Sequence, residues 1–525
     1  MTLLLGIDIG TSATKAVVCD ADGQLLARAD SPLVSLSPRP GWSEQEPDGW
    51  WTATVAAVQE VLAEVKVSSD DIVGVGLSGQ MHGSVLLPEA SLLDSGGGAG
   101  VRALRPALLW NDQRTAPQCE RIEGAVGGRR ELVELVGNAA LAGFTLPKLL
   151  WVREHEPELW GQVAAWCLPK DFVRFRLTGR LATDVGDAAG TLLFDVDSRR
   201  WSEHAHGLFE LDPSLSPVVL ESCAVAGRIS AWAAAATGLR EGTPVVAGSG
   251  DNQCGAVGAG VVEPGRVLAT LGTSGVIYAH SQEPRKDLGD TETPAGRVHT
   301  MCAADGTGRD RGHWSLTGCM LSAAGSLAWL RESLFPEVPY ARLLAEAEGV
   351  EPGAGGLVFL PHLTGERCPH PDAEARGAFV GLTSRHTRGH LVRAVVEGVT
   401  LTMRQILDIF HDVGIETTRI RLGGGGAKTP FWRQLQADVY GVPVELPNTE
   451  EGPALGAALM AGVGAGVWAD IAEACSTTIG VTETREPSAA RGPVYDELRG
   501  VYGTLYPKLR EPCAALGRLD RRADG

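Results

Sequence analysis

The chain has 525 residues, of which 44% are hydrophobic and 21% charged, and its formal net charge is −18. This length is enough for two or more domains, and the negative field opposes nucleic acids and anionic membranes. An anionic ligand must therefore be held by local donors or a metal ion. Ten cysteines without a Cys-x-x-Cys pair indicate free thiols in a reducing compartment. No signal-peptide pattern and no apolar run of about 18 residues is found, which predicts a cytoplasmic protein without a membrane partner.

The first predicted element is the apolar run that opens LLLGIDIGTSATKAVV, starting at Leu3. It predicts a strand, a Gly-Thr-Ser turn and a returning strand. Gly6, Asp8 and Gly10 share one face of the strand, and only Asp8 has a side chain there. Glycine in a strand often marks close approach by a ligand, so Asp8 is a candidate functional carboxylate. The alternative is that Asp8 is simply hydrogen-bonded inside the fold.

The following segments alternate between helical and strand patterns, which predicts an α/β fold. WWTATVAAVQEVLAEV, from Trp50, has the apolar spacing of a helix, as does HLVRAVVEGVTLTMRQILDIF, from His390. DIVGVGLSG, from Asp71, and PALLW, from Pro106, are typical of buried strands. DSGGGAG, at 94–100, is a flexible surface loop by composition.

A second carboxylate follows an apolar strand in VVAGSGDNQCGAVGAG, which begins at Val245. Gly248 and Gly250 leave space around Asp251. Asp251 can act as a general base if a substrate hydroxyl lies within hydrogen-bonding distance. The alternative is a helix N-cap, since Asp is favoured at that position.

VLATLGTSGVIYA, at 267–279, repeats the strand, Gly-Thr-Ser, strand pattern of the N-terminus. A repeated unit half a chain apart predicts two similar lobes, with a boundary near Pro244. Backbone N–H groups and hydroxyls at such hairpin tips can hold phosphate oxygens, and Lys15 can add a positive charge to the first tip. Two ordinary hairpins with turn-forming residues are the alternative.

The last chemical motif is RLGGGGAKTPFWRQLQADVYG, in which Gly423–Gly426 follow an apolar strand. Thr429 is the expected N-cap of a helix, with Pro430 at its first position and Gly441 at its end. Strand, polyglycine and helix in this order allow a flat ligand or a phosphate to approach the backbone. It is not a Walker A loop, because no Gly-Lys-Ser/Thr follows the glycines.

Two longer patterns carry a family resemblance. GFTLPKLLWVREH, at 143–155, and GAFVGLTSRHTRGHLVRAVVE, at 377–397, resemble the two signatures of the FGGY family of carbohydrate kinases. The resemblance covers roughly 4–469. It implies an α/β fold of two similar actin-like, ribonuclease H-like lobes with a central cleft. The expected domains are 1–244, with the sugar site and first phosphate hairpin, 245–515, with the base and nucleotide site, and a frayed polar tail at 516–525.

Within the family, the chain most resembles the branch that phosphorylates D-xylulose, through WSEQEPDGWW, SGQMHG, RPALLWND, LPKDFVRFRLTG, DVGDAAGTLLFDV and LTGERCPHPDAEARGAF. Glycerol kinases carry Arg-Glu where this chain has Met81-His82. The implied reaction is ATP-dependent conversion of D-xylulose to D-xylulose 5-phosphate. A kinase for ribulose, gluconate, glycerol or another polyol is the first alternative, and a non-catalytic sugar or nucleotide sensor is the second.

The resemblance also implies roles for individual residues. Asp251 is the expected catalytic base, and Asp8 the expected carboxylate that faces the phosphates through a hydrated Mg²⁺ ion. The implied sugar-site residues are Met81, His82, Trp110, Asp112 and Asn252. The implied phosphate and nucleotide residues are Thr11, Ser12, Lys15, Gly272, Thr273, Gly318, Gly425 and Thr429.

Two residues near the expected base depart from the family pattern. Ser249 and Gln253 stand where glycine and a small residue are expected, which bears on sugar preference. The expected ligands are a small-molecule sugar, ATP and Mg²⁺, with no nucleic acid or membrane partner. The resemblance allows a homodimer.

Overall fold

A computed structural model describes residues 1–66, 68–93 and 96–523. The chain divides into two units, each containing segments that are distant in sequence. The first unit consists of Met1–Glu263, His280–Ser315 and Glu451–Gly480, and the second of Pro264–Ala279, Leu316–Glu450 and Val481–Gly525. Both units mix helices with sheet, which confirms the predicted α/β class with two sheet-containing lobes. The predicted boundary after 244 stays a prediction.

The described strands are short in the connecting regions and longest in the two main sheets. They are β1 Leu3–Ile9, β2 Ala13–Asp20, β3 Leu25–Pro32, β4 Glu44–Gln45, β5 Ile72–Gly79, β6 Val85–Pro88, β7 Ala107–Leu108, β8 Val163–Cys167, β9 Ala182–Asp184, β10 Phe194–Asp195, β11 Arg200–Trp201, β12 Val218–Leu220, β13 Val225–Arg228, β14 Pro244–Val246, β15 Ser249–Gly250, β16 Gly265–Leu271, β17 Gly275–Ser281, β18 His299–Cys302, β19 Trp314–Met320, β20 Val358–Leu360, β21 Ala378–Val380, β22 Thr417–Gly424, β23 Val444–Pro447 and β24 Val481–Arg485.

The described α-helices connect and cover these strands. They are α1 Pro47–Val65, α2 Glu89–Leu92, α3 Ala116–Val126, α4 Arg129–Val136, α5 Thr145–His155, α6 Pro157–Trp160, α7 Pro169–Thr178, α8 Val185–Ala188, α9 Glu203–Leu208, α10 Ala231–Thr237, α11 Asp251–Gly258, α12 Ala324–Leu334, α13 Tyr340–Glu348, α14 Arg388–Asp412, α15 Pro430–Tyr440, α16 Pro453–Ala465, α17 Ile471–Thr478 and α18 Gly492–Ala523. No helix in the described ranges is long and apolar enough to cross a bilayer.

The main sheet of the first unit has the strand order β13-β14-β5-β1-β2-β3, and β15 also pairs with β5. The first predicted hairpin is confirmed, since β1 and β2 pair antiparallel with Asp8 opposite Lys15. β1 pairs in parallel with β5. The side chains of Leu3, Leu5 and Ile7 are completely buried, so apolar burial holds this strand in its place.

The glycines of β1 and β5 allow a helix, not a ligand, to approach the backbone. A Cβ atom on Gly6 would lie 1.9 Å from the carbonyl oxygen of Ala454, and one on Gly76 would lie 1.9 Å from that of Ala457. Both carbonyls belong to α16, which therefore packs directly on the sheet. The expectation of ligand approach at Gly6 is wrong, because the close neighbour is a segment far away in sequence.

In the second unit, β16 and β17 form the second predicted hairpin, and β22 and β23 extend the sheet in parallel with β16. Gly424 ends β22. The predicted helix follows: Thr429 accepts a hydrogen bond from the N–H of Trp432, Pro430 is the first helical residue, and Gly441 ends the helix in a left-handed conformation. These cap predictions are confirmed. They could be made from the sequence because each depends on residues within a few positions of the helix end.

Three smaller expectations have different outcomes. PALLW contributes only the two-residue β7, because the chain turns directly after Leu108. Of the loop predicted at 94–100, Asp94 and Ser95 lie outside the described residues; Gly98 is buried, with its Cβ position 2.2 Å from the carbonyl oxygen of Arg176. The segment from 516, predicted as a frayed tail, is helical to Ala523, and Asp524 and Gly525 lie outside the described residues.

Candidate active site

Three neighbouring parallel strands of the first unit end at the same edge of the sheet. β1 and β15 both pair with β5, and the registers place Asp8 and Ser249 opposite Ser78. Asp251 is the first residue after β15. In open α/β sheets, ligands bind outside the carboxyl ends of the strands. The two candidate carboxylates, Asp8 and Asp251, therefore lie at the edge where such a ligand is expected.

Asp8 is held by its neighbour on β5. The hydroxyl of Ser78 donates a hydrogen bond of 2.8 Å to Oδ1 of Asp8. Burial raises the pKa of Asp8, and the Ser78 hydrogen bond and the positive charge of Lys15 only partly oppose this shift. A nearby cation would stabilise the ionised form of this carboxylate. Ser78 was not among the predicted site residues. Its place near the end of an apolar strand is visible in the sequence, but its pairing with Asp8 is not.

Asp251 occupies the first position of α11, and Gly250 is the N-cap. The alternative that Asp251 caps the helix is therefore wrong. Burial is the largest cause that raises the pKa of Asp251, and the negative charge of Asp8 is the second. Together they raise it to about 7, although a hydrogen bond from the backbone N–H of Asn252 lowers it. A carboxyl group with a pKa near neutrality can accept a proton and later release it, which suits a general base.

Met81 and His82 directly follow the end of β5. Met81 is almost completely buried, and the side-chain amide nitrogen of Asn252 lies 3.7 Å from its sulfur atom. His82 has a positive φ of 66°. Its Nδ1 lies 3.1 Å from the carbonyl oxygen of Gly190, and its ring lies 4.3 Å from that of Phe144, centroid to centroid. The structure thus brings three predicted sugar-site residues, Met81, His82 and Asn252, to the end of β5.

Trp110 and Asp112 have different surroundings. The indole N–H of Trp110 donates to the hydroxyl of Thr11 over 3.0 Å, which joins a predicted sugar residue to the first phosphate hairpin. Asp112 is completely buried. Both of its oxygens accept hydrogen bonds from Arg114, at 2.7 to 3.0 Å, and one also accepts from the N–H of Ser43. In this arrangement Asp112 fixes its own segment, and its contact with a sugar stays a prediction.

The first hairpin tip carries Thr11 and Ser12, and the Ser12 side chain is exposed. Lys15, which follows on β2, forms an ion pair of 3.0 Å with Glu451, and its side chain is 27% exposed. Glu451 also pairs with Arg28, so this carboxylate balances the positive charge of Lys15 only in part. A phosphate group at this tip would have to compete with Glu451 for Lys15.

In the second unit, the polyglycine run lies against the second hairpin. Gly424 has a φ of 74°, and its Cβ position lies 2.5 Å from the carbonyl oxygen of Leu271, at the end of β16. The hairpin tip is fixed because Gly272 and Thr273 accept hydrogen bonds from the N–H groups of Ala324 and Ala323. The exposed tip residue Thr273 and the exposed Gly425 thus belong to adjoining segments, and their contact with a nucleotide stays a prediction. The other predicted nucleotide residues are Thr429, at the cap of α15, and the buried Gly318 on β19.

A buried ion cluster, for which the sequence indicated no role, supports β15, the strand directly before Asp251. The Nζ atom of Lys170 lies 2.7 Å from Asp171, 2.8 Å from Asp184 and 3.1 Å from Asp187, and all four side chains are completely buried. The hydroxyl of Ser249 donates to Asp184 over 2.8 Å. Ser249, which departs from the family pattern, thus ties β15 to this cluster.

The cluster contains more carboxyl groups than it can keep ionised. Burial is the main cause that raises the pKa of Asp187, to about 8. The charge of Lys170 lowers this pKa, and the neighbouring carboxylates raise it. The sequence signal that could have revealed this cluster is the presence of charged residues among apolar ones in LPKDFVRFRLTG and DVGDAAG. Gln253, the other departure, is completely buried, and its amide has no hydrogen-bond partner among the described residues.

The α/β fold and the two carboxylates at its strand ends suit an enzyme that uses a carboxylate as a base, and sequence comparison names its family. Two models of the FGGY family of carbohydrate kinases match the chain: the N-terminal domain over 3–258 and the C-terminal domain over 267–465. The chain belongs to the FGGY family of carbohydrate kinases. Membership makes it a sugar kinase and implies the use of ATP.

Curated relatives match nearly the full length. The chain is 36% identical over 516 residues to a xylulose kinase of Bacillus subtilis, covering 98% of this chain and 99% of the relative. It is 38% identical over 509 residues to a xylulose kinase of Escherichia coli, covering 97% and 99%.

Solved structures show the same fold. Xylulose kinase from Rhodospirillum rubrum superposes with a TM-score of 0.86 at 30% identity, covering 97% of this chain and 99% of that chain. Gluconate kinase from Lactobacillus acidophilus superposes with a TM-score of 0.89 at 24% identity, covering 99% of both. Because kinases named for different sugars share this fold so closely, the fold alone does not select the sugar.

Proposed function

We propose that the chain transfers the γ-phosphoryl group of ATP to the C5 hydroxyl of D-xylulose, giving D-xylulose 5-phosphate. The observation that carries the proposal is the place of Asp251, directly after β15 at the edge of the sheet where Asp8 also lies. Burial and the charge of Asp8 raise the pKa of Asp251 to about 7. Relatives named xylulose kinase, at 36% and 38% identity over nearly the whole chain, support the choice of sugar.

In the proposed reaction, Asp251 accepts the proton of the C5 hydroxyl as that oxygen attacks phosphorus. Phosphoryl transfer asks a protein mainly for positioning and for stabilisation of charge. Asn252 and Met81, which lie beside Asp251, form one wall of the sugar site, and His82 hydrogen-bonds a sugar hydroxyl. The Lys170 cluster keeps β15 in place through Ser249, so the base does not drift from the hydroxyl.

Asp8 is the proposed contact for Mg²⁺, through water. The residues fit such an ion, because burial leaves the pKa of Asp8 raised despite the Ser78 hydrogen bond and the charge of Lys15. Asp8 in turn raises the pKa of Asp251. A hard dication with oxygen ligands relieves this repulsion. When bound, Mg²⁺ neutralises phosphate charge. Thr11, Ser12, Gly272 and Thr273 supply the hairpin donors to the phosphates, while Gly318, Gly425 and Thr429 lie near ribose and adenine.

The test is ADP release from MgATP in the presence of D-xylulose, L-xylulose, D-ribulose, L-ribulose, glycerol or gluconate. We expect the strongest stimulation with D-xylulose. Stronger stimulation by another member of the panel would support the kinase activity but show that D-xylulose is not the preferred substrate. ATP binding without sugar-stimulated release by any member would favour a non-catalytic sensor.

The matched variant is Asp251→Asn, which keeps the size of the side chain and removes the proton acceptor. A positioned base contributes about 10²- to 10⁴-fold to the rate, so kcat should fall by about that factor. Asp22→Asn, an exposed turn residue, serves as the control. Near-normal turnover by folded Asp251→Asn protein would remove Asp251 from the role of base.

A further inference from the structure

Three potential metal ligands meet in the first unit, away from Asp8 and Asp251. His280 lies in β17, Asp305 follows β18, and His313 precedes β19. Oδ2 of Asp305 lies 2.9 Å from Nε2 of His280 and 2.7 Å from Nδ1 of His313. One ligand atom from each of the three residues lies within 4.8 Å of the others, a grouping found once among the described residues.

The carboxylate at the centre of this cluster is oriented in advance. Oδ1 of Asp305 accepts a hydrogen bond of 2.8 Å from the backbone N–H of His313, which directs Oδ2 towards the two rings. The loop passes so close that a Cβ on Gly312 would lie 2.5 Å from Oδ1. Such second contacts fix the geometry of metal ligands and are a regular feature of metal sites.

Exposure and charge both suit a cation that enters from solvent. The side chains of His280 and Asp305 are 3% and 8% exposed, whereas that of His313 is 48% exposed. Arg199 donates to the carbonyl oxygen of His313 over 2.6 Å, and its charge is balanced by Glu221 at 3.0 Å. The carboxylate of Asp305 therefore leaves the immediate surroundings negative.

We propose that His280, Asp305 and His313 bind one divalent transition-metal ion of the Zn²⁺ type, with water in the fourth position. Imidazole nitrogen and carboxylate oxygen suit such ions, whereas Mg²⁺ prefers oxygen ligands alone. Each imidazole binds in its neutral form, with its proton on the other ring nitrogen. Tetrahedral bonds of about 2.0 to 2.2 Å place ligand atoms roughly 3.4 Å apart, so the two present contacts need to lengthen by only about 0.6 Å.

The ion would act as a clamp on the loop between β18 and β19. It would join that loop to β17 by bonds that do not depend on the reacting sugar or nucleotide. Without a metal, the same three residues are a hydrogen-bonded His-Asp-His tie. The two descriptions differ in whether zinc binds in a stoichiometric amount.

The test is equilibrium dialysis of untagged, metal-free, full-length protein against ZnSO4 in excess MgCl2, with metal content measured by mass spectrometry. We expect about one zinc ion per chain in the wild type and at least tenfold weaker binding in His313→Gln and Asp305→Asn. His386→Gln is the control, because it removes one member of the unrelated pair His386 and His390, whose ring centroids lie 5.3 Å apart. Equal zinc binding by wild type and His313→Gln, or none by the wild type, would overturn the proposal.

Two further measurements separate this site from binding by thiols and from loss of folding. His313 is 48% exposed, so its replacement leaves no buried cavity. His313→Gln loses the 2.7 Å imidazole contact with Asp305, so in EDTA it should stay folded, with a melting temperature lowered by no more than a few degrees. Zinc should raise the melting temperature of the wild type, since it binds the folded state, but not that of the variant. Co²⁺ substitution should give visible bands without thiolate charge transfer; a thiolate band would assign the metal to cysteine and sink the proposal.

Discussion

At the scale of single residues, the raised pKa of Asp251 is the central property of the candidate site. Burial is the first cause of its raised pKa and the charge of Asp8 is the second. Between the usual carboxyl pKa and about 7, the folded protein binds a proton at Asp251 that the unfolded chain has lost. Stability at this site therefore decreases as the pH rises through that range. A residue suited to proton transfer is here a residue that costs stability.

The contribution of Asp8 can be measured directly. Asp8→Asn removes the negative charge that helps to keep Asp251 protonated, so the pKa of Asp251 should move down from about 7. The measurement is a ¹³C NMR titration of the Asp251 carboxyl carbon in protein without nucleotide. Asp22→Asn, at an exposed turn, should leave the titration unchanged. An unchanged or higher pKa in Asp8→Asn would show that the two carboxylates do not interact.

At the scale of elements, local signals predicted local structure well. The two Gly-Thr-Ser hairpins and the Thr429 cap were predicted because turn and cap residues act within a few positions. The partner of Gly6 could not be predicted, since its neighbour α16 lies at the other end of the sequence. The His280, Asp305 and His313 cluster could not be predicted for the same reason. Nor could the role of Ser249, because its hydrogen-bond partner Asp184 is distant in sequence.

The packing of α16 on β1 gives a prediction about stability. Gly6→Ala would place a methyl group 1.9 Å from the Ala454 carbonyl oxygen, and the helix or the strand would have to move. We expect a loss of about 1 to 3 kcal/mol in the free energy of unfolding, measured by chemical denaturation.

Gly124→Ala is the matched control, because Gly124 lies in α3 and its Cβ position has nothing within 4 Å. Alanine is the better helix former, so this change should stabilise by up to about 1 kcal/mol. If both variants were equally stable, α16 would not press on Gly6.

At the scale of the whole molecule, the net charge of −18 affects the two proposed substrates differently. It repels MgATP, which is an anion, and has no first-order effect on a neutral sugar. The pairing of Lys15 with Glu451 also weakens a local attraction for phosphate. Raising the ionic strength from about 10 mM to 150 mM shortens the screening length from roughly 30 to 8 Å.

We therefore expect KM for MgATP to fall with added KCl over this range, while KM for the sugar stays constant. The measurement is a matrix of initial rates at fixed free Mg²⁺. A KM for MgATP that rises with salt would mean that local cations, and not the overall field, govern nucleotide binding.

The first unit is assembled from three separate stretches of the chain, which affects how the protein folds during translation. β1 and β5 leave the ribosome early, but α16, which covers their glycine-lined face, is translated only near the end of the chain. At about 5 to 20 residues per second, that face waits roughly 20 to 90 seconds for its partner. During this interval the nascent chain presents an unfinished apolar sheet to its surroundings. We therefore expect chaperones that shield this surface during translation to raise the yield of folded protein.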